Sequence, residues 1–104
     1  MDLAEALRTR QAWLAEGKEV AAATVVSARG STPRPVGARF LVSSEGDTAG
    51  SVSGGCVESD VMLHARAVLE EGGPVVVEYG ISDEEAFGVG LACGGTIRVL
   101  VDRW

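Results

Sequence analysis

Cysteine is scarce in this chain: two in 104 residues. That is too few for the disulfide framework of a small secreted domain, and in a reducing compartment such thiols stay free. Histidine is scarcer still, with His64 alone, so a structural zinc site of four thiol and imidazole ligands is disfavoured. Basic residues are outnumbered, nine Lys and Arg against fifteen Asp and Glu for a net charge of -6, which argues against general affinity for nucleic acid or anionic membranes. No apolar run approaches the roughly 18 residues of a membrane span. The start, Met1-Asp2-Leu3-Ala4-Glu5, has neither the basic flank nor the apolar stretch of a signal peptide. Low-complexity segments and dividing linkers are missing too. These absences leave a cytosolic globular chain whose charge serves solubility, with an apolar fraction of 46% that supports a core.

The local patterns predict the elements. Asp2 and Glu5 have the form of a capping box, and Leu3, Leu7 and Leu14 recur at helical spacing before Gly17, with Trp13 adding to the packing. Val20 to Ala28 is small, apolar and β-branched, as in a strand covered on both faces. Two prolines and two glycines make residues 29–37 a stiff loop. Ala38 to Val42 and Ala49 to Val52 read as strands joined by a turn at Glu45-Gly46-Asp47. Val57, Val61, Ala65 and Val68 then share one helical face, Met62 and Leu69 widen it, and Gly72-Gly73-Pro74 ends the helix, which is expected to begin at or beside Cys56. Val75 to Tyr79 and Thr96 to Val101 complete the strands, and Ser82 with Glu85 could cap a short turn between them. The expectation is a single α+β domain over residues 1–104, a mixed β-sheet packed against two main helices, one layer of each.

Two motifs carry chemistry. Ser53-Gly54-Gly55-Cys56 places a thiol at a helix start, where unpaired N–H groups and the macrodipole favour a thiolate, after two glycines whose amides suit phosphate. A tight turn with a buried, space-filling cysteine accounts for the same residues. Cys93-Gly94-Gly95 closes a run with four glycines in eight residues, 88–95, a backbone able to bend around a ligand. If the last strand lies beside the third, the two thiols share a pocket. A soft-metal or sulfur-handling thiol pair, a redox disulfide and two unrelated core cysteines all stay open; no Cys-x-x-Cys motif supports the second. Arg29, Arg34 and Arg39 surround the stiff loop and suit an anion, or are scattered surface charges. Glu58, in the first turn of the second helix, complements the dipole. His64 reads as an ordinary packed or surface histidine.

Three stretches in this order, residues 30–38 (GSTPRPVGA), 50–58 (GSVSGGCVE) and 89–95 (VGLACGG), resemble the XdhC/CoxI family of accessory proteins for molybdenum hydroxylases of the xanthine dehydrogenase and carbon monoxide dehydrogenase type. Three ordered motifs are more specific than any glycine pair. The resemblance implies a chaperone more than an enzyme, one that binds molybdenum cofactor transiently in its molybdopterin form. It would aid sulfuration by a cysteine desulfurase and insertion into the apo-hydroxylase. It implies cofactor binding by Cys56, Cys93, Ser53, Gly54, Gly55, Arg34, Glu58, Gly94 and Gly95, with Cys56 as the molybdenum contact. Longer members carry a C-terminal, Rossmann-like domain that this sequence is expected to lack, so a partner chain or a homodimer would complete the site. A thiol-based redox or sulfur-transfer domain, and an interaction module that never touches cofactor, are the alternatives.

Overall fold

The computed structural model describes residues 1–30, 32, 34–80 and 95–104. Helix α1 (Leu3–Ala15) starts as predicted, the Asp2 carboxylate accepting the Glu5 N–H at 2.8 Å. Strands β1 (Val20–Arg29), β2 (Arg39–Ser43) and β3 (Thr48–Gly50) follow, then helix α2 (Glu58–Glu71), β4 (Val75–Tyr79) and β5 (Thr96–Arg103). The five strands form one sheet in the order β3-β2-β1-β5-β4. The α+β expectation holds, and the sheet expected to be mixed is antiparallel at every pairing.

Side-chain alternation sorts the sheet into two faces. Ala21, Ala23 and Val25 of β1, Phe40 and Val42 of β2, and Ile97, Val99 and Val101 of β5 pack with Val61, Ala65, Val68 and Leu69 of α2 in one core cluster. The α2 stripe and its end at Gly72 match the sequence pattern. Residues of opposite parity, Val20 and Leu41, are buried outside that cluster together with Ala6 of α1, which packs on β1 and β2. The helices therefore cover opposite faces, giving three layers where one of each was expected. Alanines 21–23 keep β1 thin enough for helices on both sides.

The covering on the α1 side is partial. Leu3, Leu7 and Leu14, expected to pack, are 50%, 45% and 40% exposed, while Ala6 is the buried residue of the helix. Arg10, on the same stripe, stacks on Trp104 at 5.4 Å. Beyond it the outer sheet face is open: Val26, at a bulge in β1, and Val76 of β4 are 46% and 56% exposed. β1 is thus covered on both faces only along its first half.

The third strand is shorter than predicted. It ends at Gly50, whose φ of +81° turns the chain, and Val52 leaves the sheet to be fully buried in the α2 core. The predicted capping turn at Ser82 and Glu85 lies outside the described residues.

Candidate functional site

The register brings the loops after β1 and β3 and the start of β5 to one end of the sheet. β3 ends at Gly50 opposite Phe40, which faces Ala23, so the chain leaves β3 heading toward the end at which β1 finishes. β5 begins there, Thr96 facing Arg29, and β4 finishes there, Tyr79 facing Ile97. The loop after β1 with Arg34, the loop after β3 with Cys56, and Gly95 before β5 all flank this end. Gly95 is buried and closely apposed to Gly30, where an added Cβ would lie 3.5 Å from the Gly95 Cα. Cys93 and Gly94 fall outside the described residues. The condition set for a shared thiol pocket fails, because β5 lies between β1 and β4 while β3 occupies the far edge.

Cys56 is a free, exposed thiol, not a space-filling core residue. It stands one residue before the position expected of a helix start: Val57 is the N-cap, with φ -126° and ψ 4°, and Glu58 is the first helical residue. The first turn already holds two carboxylates, Glu58 and Asp60, so the positive end of the macrodipole is matched within the chain.

The residues around Cys56 are organised by Glu58. Its Oε2 accepts the Ser51 hydroxyl at 2.7 Å and the backbone N–H groups of Val52 at 2.9 Å and Ser53 at 3.0 Å. Its Oε1 accepts the Ser53 hydroxyl and the Gly55 N–H, the latter at 2.9 Å. The hydroxyls are used twice: Ser51 Oγ accepts the Gly54 N–H at 2.7 Å and Ser53 Oγ accepts the Val57 N–H at 3.0 Å. Both glycine amides that the sequence offered to a phosphate are thus engaged within the chain, Gly54 by Ser51 of the same loop and Gly55 by Glu58 of α2. Burial pushes the Glu58 carboxyl upward, but the hydrogen bonds from the Ser53 and Ser51 hydroxyls and the Val52 and Ser53 amides outweigh it and bring its pKa down to about 2.

Further along the first turn of α2, Asp60 accepts the Tyr79 hydroxyl at 2.5 Å and lies 3.4 Å from His64 Nε2, tying the end of β4 to the helix. Burial, then this bond to Asp60, pushes the Tyr79 phenol up. No sequence signal marks this cluster, since Tyr79 and Asp60 meet only through the fold. On the loop after β1, Arg34 is exposed and its carbonyl accepts the Thr32 hydroxyl at 3.2 Å. Arg39 donates to the Gly37 carbonyl at 3.3 Å. Two depressions elsewhere, of about 290 Å³ beside Glu19, Arg66 and Glu70 and about 210 Å³ beside Thr24, Arg39 and Trp104, are not lined by Cys56.

Among the described residues, this end presents a solvent-facing thiol on a loop whose serine hydroxyls and glycine amides are bonded within the chain, with Arg34 on a neighbouring loop. Soft thiolate chemistry fits it; reception of a phosphate by the Gly54 and Gly55 amides does not.

Comparison with known proteins agrees with the motifs. The model of the XdhC and CoxI family matches residues 13–80. A probable xanthine dehydrogenase subunit from Bacillus subtilis is 34% identical over 94 residues, covering 88% of this chain and 28% of that protein. The molybdenum cofactor insertion chaperone PaoD of Escherichia coli is 34% identical over 90 residues, covering 86% and 28%. Among solved structures, a xanthine dehydrogenase from Bacillus halodurans superposes with a TM-score of 0.77 at 32% identity, covering 93% of this chain and 30% of that one. The chain spans less than a third of the length of these relatives.

Proposed function

The chain belongs to the XdhC and CoxI family, and from that premise we propose that it is an accessory protein of molybdenum hydroxylases, handling molybdenum cofactor as cargo on its way to the apo-enzyme. The observation that carries the reading is the exposed Cys56 thiol, held at the end of the sheet that the loop after β1 and Gly95, just before β5, also flank. A thiolate is a soft ligand suited to a sulfur-coordinated metal centre. The similarity to an insertion chaperone of Escherichia coli supports the cargo.

In this reading Cys56 contacts the metal end of the cargo and Arg34 pairs with its phosphate. Ser53, Gly54, Gly55 and Glu58 shape the loop, Gly95 borders the same end, and Cys93 and Gly94 are assigned to the cargo by the family resemblance alone. A molybdenum hydroxylase and a cysteine desulfurase are the partners, and a second copy or a further domain supplies the remaining wall of the pocket. The protein works in the cytoplasm and performs no turnover of its own.

Equilibrium binding of molybdopterin-form cofactor to the purified chain, alone and with a domain corresponding to the rest of its relatives, tests this. We expect saturable binding that Cys56→Ser weakens about tenfold, the equivalent of losing one strong contact. Binding that is absent in both settings, or unaffected by the substitution, rejects the assignment.

A further inference from the structure

Five donors converge on the Glu58 carboxylate, and all come from a stretch of five residues, 51–55. Such an arrangement is uncommon for a first-turn glutamate, which ordinarily faces solvent and complements the dipole. Here the side chain turns backward onto the loop that precedes its own helix. Gly54 and Gly55 have φ of +72° and +113°, a backbone that curls the loop around the carboxylate. The geometry is that of an anion-binding nest, with the anion built into the chain.

From this we infer that Glu58 is a positioning residue: its carboxylate pre-forms the 51–55 loop and thereby fixes the Cys56 thiol in its solvent-facing place. The inference rests on the reading of Cys56 as the working thiol and assigns Glu58 a part in it other than touching the cargo.

The hydrogen-bond directions make the assignment specific to a carboxylate. Each serine hydroxyl has one proton, and since Ser51 Oγ and Ser53 Oγ each accept an N–H, that proton goes to Glu58. Both carboxylate oxygens therefore face only donors. An amide in the same place would set its own N–H₂ against two or three of them, leaving donors unpaired in a partly buried loop. The isosteric Gln is thus expected to fail where a residue that merely fills space would be replaced without effect. The same occupancy keeps the loop amides from an anionic ligand.

The test compares Glu58→Gln, Ser51→Ala and, as a control of matched destabilisation, Val61→Ala in the α2 core. Residue-resolved amide hydrogen exchange and the alkylation rate of Cys56 are read in the full chain. In Glu58→Gln, exchange at Val52, Ser53 and Gly55 rises about tenfold or more, as expected for losing a charged acceptor. The Cys56 rate shifts with it while β1 and β5 keep their protection. Ser51→Ala gives the same changes at smaller amplitude, and Val61→Ala leaves the alkylation rate unchanged. Wild-type exchange and alkylation in Glu58→Gln overturn the inference, as does an equal response to Val61→Ala. Should Glu58→Gln fail to fold, Ser51→Ala decides by the same two readouts. If the Glu58 results hold but Cys56→Ser still binds cofactor as wild type does, the functional reading of Cys56 falls while the organisation of the loop by Glu58 stands.

Discussion

At the scale of single residues, the most informative group is a carboxylate whose charge is required by its surroundings. The Glu58 carboxyl is lowered from 4.5 to about 2, so its stabilising effect is fully present above 4.5 and is lost as the pH falls through the lower value. The loop amides of Val52, Ser53 and Gly55 should therefore stay protected from exchange at about pH 4 and open only as the pH approaches about 2, later than an ordinary glutamate would permit. Opening already at about pH 4 would mean that the carboxylate carries little of the loop's order. Tyr79 makes a second residue-scale prediction. Tyr79→Phe removes the bond to Asp60 and leaves that carboxylate with His64 at 3.4 Å, at a cost of about 1–2 kcal/mol in urea unfolding. Legibility differed sharply between these neighbours. Cys56 and its glycines stood out as a motif, whereas the role of Glu58 did not, because a side chain folding back over its own N-terminus leaves no periodic trace. The recurrence Ser51, Ser53, Glu58 was the available signal, and it resembles a capping box spread over a longer loop.

At the scale of elements, junctions decide more than propensities do. Gly50 ends β3 with φ +81°, and a Cβ there would run into the Arg39 carbonyl, whereas one at Gly55 with φ +113° would meet no atom within 4 Å. Gly50→Ala should accordingly cost about 2–3 kcal/mol and Gly55→Ala about 1–2 kcal/mol, the strain alone, as measured by chemical denaturation. At the other end of α2 no basic residue occupies the last turn, yet Arg103 of β5 donates to the Leu69 carbonyl at 2.7 Å and pairs with Glu19. The helices and strands themselves were legible because α2 repeats its apolar residues with helical period and the strands are β-branched. Their ends were less so: Val52, β-branched and read as the end of the third strand, is drawn off by the turn at Gly50 and the bonds to Glu58. Strand order was legible only in part: the hairpin of β2 and β3 follows from the turn between them, whereas the pairing of β1 with β5, distant in sequence, left no local signal. That is why adjacency of the third and last strands was an open condition that the fold did not meet.

At the scale of the whole molecule the two sheet faces are unequal. Val61→Ala, beneath α2 with no exposure, should lose about 2 kcal/mol, while Val76→Thr on the open outer face should stay within about 0.5 kcal/mol of the parent. Equal losses in urea titrations would contradict the sidedness of the core. The strand order has a consequence of another kind. The adjacent inner strands β1 and β5 are the first and last of the five, Ala21 facing Arg103 across the ladder. This core cannot close until the fifth strand has been delivered, and the loop to be closed runs through every element between them. On the ribosome, β1, β2 and β3 would wait as an unfinished sheet with one apolar edge bare, so the nascent protein gains its protection only when synthesis has passed Arg103 and the exit tunnel has released it.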